Sequence, residues 1–439
     1  MCLHSAGCGL GVALLLAAPM ACVAGPGLAP PGTLKQEIAA ARRAGLPLTP
    51  GELARRPPVR AADNAAPLYR KLDALLMARP ITQEEADIVE GRALKPDASV
   101  ADIAAAAAFF ARRKDLMDLI HRAAARPDCD FQRDWSLGPS LLFPEFSRLR
   151  KAGRLLSCEA NVQACRGDVA GAMRTCAAIG KVARHASSDP YLIAHLVDYA
   201  IESLGMSRIE AVLRAHPTEA MARAASAAIA CYRTRPVGEA IRGEAVMAMV
   251  CVEMLRKDPA SLADLTGDTG SRANGAPARP RLSPAMVDAN AAYLVWYFHM
   301  MAGALRQPYP VGRRTVSAVQ AEVDARTARR DMTTLLGAFL LPVFTQAGDQ
   351  AARAAAQQGA LRAMAAALEF RARHTALPST LASCMKAVPT DPFDGKPMRY
   401  RVEGKSFVIY SVGPTGKYAG APKQPGQPFR EVVLRWPGA

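Results

Sequence analysis

The pattern of the chain changes near its carboxyl end. Through residue 373 most segments repeat their apolar residues at helical spacing, whereas residues 389–437 hold turn signals and short runs typical of strands. The runs 398–402 and 407–412 are alternating or rich in β-branched and aromatic residues, and four residues separate them. This arrangement predicts a β-hairpin, and 431–436 predicts a third strand.

A turn precedes this hairpin. The segment Pro389-Thr-Asp-Pro-Phe-Asp-Gly395 favours a turn because proline fixes φ and glycine accepts positive φ. Its aspartates are expected to hold the turn through hydrogen bonds from side chain to backbone. The residues predicted to form this structural turn are Asp391, Pro392, Asp394 and Gly395.

A sheet of three strands needs a cover for its apolar face, and the helical run 352–373 is the natural one. In chain order, the motifs of this region are Leu340-Leu-Pro342, Ala365-Ala-Ala-Leu-Glu-Phe370, Leu377-Pro-Ser-Thr-Leu381, Thr390-Asp-Pro-Phe-Asp-Gly395 and Tyr410-Ser-Val-Gly-Pro414. Together, residues 340–436 resemble the body of a type II secretion major pseudopilin. The resemblance implies a long helix against a three-stranded antiparallel sheet, and a cell-envelope location.

Two features depart from that family. Its processing site and hydrophobic amino-terminal stalk are absent, so we expect a protein other than a filament subunit. The family's calcium loop carries carboxylates, whereas Pro414-Thr-Gly-Lys-Tyr418 has none. Because Ca²⁺ needs several oxygen ligands, we expect no calcium site.

The rest of the chain is expected to be helical. Half of the residues are hydrophobic but only 6% are aromatic, and alanine supplies most of the difference, which favours helices that pack closely. Small and large residues alternate around Gly167 in a way that resembles tetratricopeptide-like helical hairpins. The residues that carry this pattern are Leu156, Ala160, Ala164, Ala170, Ala172, Cys176 and Ile179. The predicted fold class is therefore mainly α, with stacked antiparallel helical hairpins followed by a small C-terminal α+β module.

The same patterns predict a domain organisation. Residues 266–284 lack a hydrophobic face and are dominated by small residues, proline and arginine, which is typical of a linker. The predicted segments are a signal peptide or anchor at 1–24, a flexible arm at 25–58, a helical domain at 59–265, the linker at 266–284, helices that pack on that domain at 285–346, and the pseudopilin-like module at 347–439.

The amino-terminal segment predicts export. The first 34 residues contain no charged side chain, and an apolar block precedes Cys22-Val-Ala24-Gly25, a pattern suited to signal-peptidase cleavage after Ala24. An uncleaved anchor and lipidation at Cys22 are the alternatives. We expect a periplasmic or envelope protein whose only membrane contact would be an uncleaved leader.

Cysteine positions suggest one disulfide. Cys158 and Cys176 lie nine residues on either side of Gly167, so an antiparallel hairpin would bring them level. A bridge could form in an oxidising compartment if the Cα atoms come within about 7 Å. The alternative is that both are free thiols packed in a helix seam.

The net charge of +16 would suit an anionic partner. However, the excess is arginine scattered at helical spacing rather than a basic run interleaved with aromatic residues. We therefore expect no specific nucleic-acid binding.

No common catalytic motif is present, and we predict no catalytic, cofactor-binding or metal-binding residues and no cofactor. His185 and His195 flank Ser187-Ser-Asp-Pro190. We interpret His185 as an imidazolium that ends one helix, and Asp189-Pro190 as the start of the next. A non-catalytic envelope scaffold with a protein partner is the favoured function. The alternatives are a hydrolase acting on an envelope polymer and a basic protein that binds an anionic polymer.

Overall fold

Helices account for most of the described chain. The computed structural model describes residues 28–54, 57–95, 97–261, 282–341, 344–416 and 432–437. Every element below belongs to the unit that spans residues 31–439. The predicted leader and most of the predicted linker lie outside the described residues.

Eleven helices precede that linker region and four follow it among the described residues. The first eleven are α1 Leu34–Arg43, α2 Pro50–Leu53, α3 Ala66–Ala78, α4 Gln83–Val89, α5 Val100–Arg112, α6 Lys114–Ala124, α7 Glu145–Cys165, α8 Val169–Ala186, α9 Leu192–Ala215, α10 Glu219–Ile229 and α11 Ile241–Lys257. The last four are α12 Pro284–Leu305, α13 Tyr309–Ala328, α14 Gly337–Leu340 and α15 Phe344–His374. The predicted fold class, mainly α with a C-terminal α+β module, is confirmed.

Helices α7, α8 and α9 pack side by side as consecutive partners. The α7–α8 turn is short because Gly167 adopts a φ of +85°, which glycine accepts without strain. Asp168 then caps α8 by accepting a hydrogen bond from the Gly171 amide at 2.8 Å. The sequence signal of glycine followed by aspartate therefore sets this hairpin.

Two hydrophobic clusters meet on these three helices. One joins α3, α5 and α6 to α7, α8 and the beginning of α9. The other joins α8, the end of α9, α10 and α15 to the sheet. Since α8 and α9 contribute to both clusters, the hairpin helices and the C-terminal module share a continuous packed interior.

The segment predicted as an arm contains α1, which packs along α12. Ala41, Leu46 and Leu48 are buried there. Helix α1 and the residues that follow it up to Leu48 are therefore part of the packed helical layer. The predicted domain boundaries remain predictions.

Helix α12 holds the aromatic run 293–298, and all six of these residues are buried. It packs against α1, α11 and α13. None of the described helices is long and apolar enough to cross a bilayer.

The C-terminal sheet has three antiparallel strands in the order β1 Arg399–Glu403, β2 Ser406–Tyr410 and β3 Val433–Trp436. Gly404, with φ +64°, makes the tight turn between β1 and β2. Helix α15 packs on β2 and β3, so it covers the sheet where the sequence pattern placed the cover.

Gly205 tests how tightly α8, α9 and the segment after α10 pack. A Cβ at this position would overlap the hydroxyl of Tyr232. That ring is 1% exposed and its hydroxyl donates to the Cys176 carbonyl at 2.6 Å, so it has no room to withdraw. We expect Gly205→Ala to lower the free energy of unfolding by about 1–3 kcal/mol, measured by urea denaturation.

Gly303→Ala is the matched control. Gly303 is exposed in α12 and a Cβ there would meet nothing within 4 Å. This change should be neutral or stabilising by up to about 1 kcal/mol because alanine favours helix. Equal stability of the two variants would contradict the packing described here.

Candidate functional site

The turn between α8 and α9 makes several buried polar contacts. Its Pro190 carbonyl accepts a hydrogen bond from the Gly243 amide of α11 at 2.8 Å. A Cβ at position 243 would overlap that carbonyl oxygen, so only glycine allows the close approach. Two residues on, the Leu192 amide donates to Glu244 Oε1 at 2.9 Å. Helix α11 thus binds the turn and caps α9 at once.

Burial raises the pKa of Glu244 to about 7, and the Leu192 amide and the Tyr191 hydroxyl partly oppose the shift. This carboxyl is 8% exposed. It therefore gains or loses its proton near neutral pH while it holds the start of α9.

His185 lies in the last turn of α8, as predicted, but its predicted positive charge is wrong. Its Nδ1 is 2.9 Å from the Tyr69 hydroxyl and its Nε2 is 3.0 Å from the Arg126 carbonyl oxygen. Burial lowers its pKa to about 4. The ring is neutral and fixed between two polar atoms, because desolvation outweighs the attraction of the helix carbonyls.

Arg133 reaches the same turn from a loop. Its side chain is 6% exposed, with Nε donating to Asp189 Oδ2 at 3.0 Å and Nη1 donating to Glu145 Oε2 at 2.9 Å. The guanidinium carbon lies 4.8 Å from the ring centre of Phe131 and 4.9 Å from that of Phe143. Its Nη2 has no hydrogen-bond partner in the part of the chain that the structure describes.

Burial also raises the pKa of Asp189, and Arg133 opposes this through its charge and its hydrogen bond. Glu145 and Asp130 add further upward shifts because they carry like charge. The carboxyl of Asp189 is thus destabilised as an anion although a guanidinium touches it.

A cleft of about 280 Å³ opens beside this turn. It combines apolar walls with several polar groups, which is typical of a binding site. The lining residues are Leu53, Ala54, Pro58, Asp130, Gln132, Arg133, Trp135, Ser188, Asp189 and Pro190. We call it the Arg133 cleft.

The serines of this turn are bonded to the backbone. Ser188 donates to the His185 carbonyl at 2.8 Å, and Ser187 donates to the Arg184 carbonyl at 3.3 Å. The His185 ring nitrogens are bonded to Tyr69 and Arg126 instead. The geometry therefore does not pair a serine hydroxyl with this histidine as a nucleophile requires. Across the described residues, no group of three potential ligands is placed to hold a metal ion.

A second polar cluster lies on the inner face of α9. His195, Asp198 and Glu202 follow one another at helical spacing and are at most 2% exposed. Thr234 donates to Glu202 Oε2 at 2.7 Å, and Gln358 of α15 donates to Thr234 at 2.7 Å. This chain of hydrogen bonds links α9 to the C-terminal module.

Burial sets the protonation of this cluster. It raises the pKa of Asp198, with further help from the charge of Glu202, and raises the pKa of Glu202 to about 7. It lowers the pKa of His195 to about 4, and the charge of Arg235 acts in the same direction while the Arg235 backbone opposes it. The Ser187 hydroxyl and Arg235 oppose the shift of Asp198. Neither oxygen of Asp198 has a hydrogen bond in good geometry among the described residues, so we assign this carboxyl as neutral at pH 7.

The structure places Cys158 and Cys176 in α7 and α8, where both are free and buried. They belong to different hydrophobic clusters. Burial raises the pKa of each thiol to about 12, which leaves almost no thiolate at neutral pH. The disulfide remains a prediction.

Asp391 and Asp394 lie in the turn 389–397, where Gly395 has φ +73°. Asp391 accepts from the Phe393 and Val412 amides at 3.1 and 2.9 Å, and Asp394 accepts from the Lys396 amide at 3.1 Å. Asp391 additionally accepts from Arg399 at 2.7 Å and is fully buried. This aspartate therefore joins the turn to the end of β2.

Comparison with known proteins finds no matching family model, no matching curated protein and no matching solved structure. The fold defines a mainly α protein with a C-terminal α+β module, and the Arg133 cleft is its candidate binding site.

The acid pair on α9 predicts a pH-dependent effect of its removal. Glu202 has a pKa of about 7 when folded against an ordinary value of 4.5, so its stabilising contribution is present at low pH and is lost as pH rises through 7. The double variant Asp198→Asn, Glu202→Gln removes this loss of stability. His185 and His195 are present in both the wild type and the variant, so their titration cancels in the difference between the two proteins. The variant's unfolding free energy, relative to wild type, should therefore increase by at least about 3 kcal/mol between pH 5 and pH 8, because the neutral Asp198 of the folded wild type adds to the loss from Glu202.

Urea unfolding at pH 5, 6, 7 and 8 measures this difference. Glu239→Gln, at a side chain that is 52% exposed, is the control and should show no such trend. A difference from wild type that stays constant over the pH range would show that the pair is ionised in the folded protein.

Proposed function

We propose that the protein is a non-catalytic binding protein of the cell envelope, and that the Arg133 cleft receives an extended segment of a protein partner. The observation that carries the proposal is the Nη2 group of Arg133. Its side chain is 6% exposed and three aromatic rings surround it, yet this nitrogen has no hydrogen-bond partner among the described residues. A buried donor without a partner costs about 1–3 kcal/mol, which a carbonyl oxygen of the partner would recover on displacing the side chains that cover this nitrogen.

The cleft favours a neutral or cationic group. Arg133 supplies one positive charge, whereas Asp130 and Asp189 line the cleft and Glu145 lies behind Arg133. A phosphate or sulfate would meet more negative than positive charge at this position. The charge balance therefore supports a peptide segment over an anionic polymer at this site.

A peptide matches the remaining walls as well. Leu53, Trp135 and Pro190 offer apolar surface for a side chain, while Gln132 offers an amide that both donates and accepts. Peptide backbones present alternating donors and acceptors that suit such a mixture. The envelope location belongs to the proposal, and its support is the leader pattern together with the pseudopilin resemblance of residues 340–436.

A hydrolase is the second candidate, because Asp189 combines a raised pKa with a nearby carboxyl, Asp130, in an open cleft. Two carboxyl groups in one cleft suit general acid and base roles. In that case Asp189 would supply the proton and Asp130 would act as the base.

The experiment blocks the cleft without disturbing the ion pairs behind it. Ala54 lies exposed at the rim, and Ala54→Trp would fill the space in front of Arg133. Ala220→Trp, at an exposed position of α10, is the matched control. We expect envelope proteins captured by the wild-type chain and by the control to be lost from Ala54→Trp by at least about tenfold.

Equal capture by all three proteins, or no capture by any, would contradict the proposed binding. Release of soluble fragments from envelope polymer by wild type but not by Asp189→Asn would establish the hydrolase instead. Removing the C-terminal module is unsuitable as a test, because α15 and the sheet share a hydrophobic cluster with α8, α9 and α10.

A further inference from the structure

A second cleft lies where α12 ends, α13 begins and α15 begins. It is about 160 Å³ in volume and is lined mainly by apolar groups. The apolar residues that form most of its wall are Val237, Leu305, Val316, Phe344, Ala352 and Pro392. A dry cavity of about 150 Å³ holds benzene in another protein, so this cleft has the size of a single ring.

The charged groups of this cleft neutralise each other. Asp349 accepts hydrogen bonds from Arg313 Nε at 3.0 Å and Arg313 Nη2 at 3.2 Å. It also accepts from the Tyr309 hydroxyl at 2.6 Å. With one carboxylate and one guanidinium bonded in a fork, a charged ligand would find no free counter-charge.

Thr345 contributes a polar atom to the wall that is unsatisfied in the described part of the chain. Thr345 Oγ1 is buried and has no hydrogen-bond partner within the described residues, although Thr345 lines the cleft. A threonine hydroxyl both donates and accepts, so either a hydroxyl or a carbonyl of a ligand would satisfy it.

Small residues of α15 create the space. Gly348 lines the cleft, and a Cβ there would have only Leu305 Cδ2 near it, at 3.7 Å. Ala351 and Ala352 follow on the same helix. A Cβ at position 348 therefore fits without overlap, and a larger side chain there would take up space in the cleft.

From these observations we propose that this second cleft binds a small neutral ring compound that carries one hydroxyl or carbonyl group, with the apolar walls around the ring and Thr345 bonded to the oxygen. The site is independent of the Arg133 cleft, because the two share no lining residue.

Phenol, benzene and benzoate are the probes, and ligand-detected NMR with the full chain is the measurement. We expect phenol to bind about fivefold more tightly than benzene, since it satisfies Thr345, and benzoate to bind at least tenfold more weakly than phenol because its charge would be desolvated. Equal binding of phenol and benzoate would overturn the proposed neutral class.

Two variants locate the binding. Gly348→Leu should abolish phenol binding by filling the cleft, whereas Gly303→Leu, at an exposed glycine of α12, should leave it unchanged. Thr345→Val, which keeps the shape of the side chain and removes the hydroxyl, should bind phenol and benzene about equally tightly. Undiminished phenol binding by Gly348→Leu, or an undiminished preference in Thr345→Val, would refute the site.

Discussion

The hydrogen bond between the Gly243 amide and the Pro190 carbonyl fixes the relation of α11 to the α8–α9 turn. Because residue 243 is a glycine, the two backbones can approach closely enough to form this hydrogen bond at 2.8 Å. A Cβ at position 243 would overlap the Pro190 carbonyl oxygen. Glu244, the next residue, then reaches the first free amide of α9. A single glycine thereby sets the position of α11, the start of α9 and one wall of the Arg133 cleft.

The groups around this turn are expensive to bury, and most are neutral or paired. His185 loses its charge, Glu244 has its pKa raised to about 7, and Asp189 is bonded to a guanidinium. Apolar replacements of similar volume are often as stable as buried ion pairs, so packing alone does not explain why polar groups occur here. Perturbed carboxyls beside an open cleft are more common at functional sites, which agrees with the binding role proposed for this face.

The sequence predicts the local features well, because their causes lie within a few residues. Gly404 and the alternation around it predict the hairpin, and the spacing of proline, aspartate and glycine predicts the turn at 389–395. The Arg133 cluster could not be predicted in this way, since its partner Asp189 lies 56 residues away. The sequence around each is compatible with a solvated loop, and tertiary packing, including the three phenylalanine rings around Arg133, makes the pair buried.

The polar cluster on α9 has a recognisable spacing in the sequence, but that spacing does not show whether the cluster is buried or exposed. His195, Asp198 and Glu202 share one face, and such a stripe ordinarily marks the side of a helix that faces solvent. Here it faces α15 and the segment after α10, because both other faces of α9 are already apolar and covered. Packing against elements distant in the sequence, rather than local spacing, decides which face of α9 is buried.

Amide hydrogen exchange at Gly243 and Leu192 tests the central role of the α8–α9 turn. If the turn and α11 form one unit, both amides exchange only through global unfolding, and their opening free energies equal the unfolding free energy measured by urea. Exchange at either amide through a smaller opening, with the α7–α8 hairpin still protected, would contradict the account.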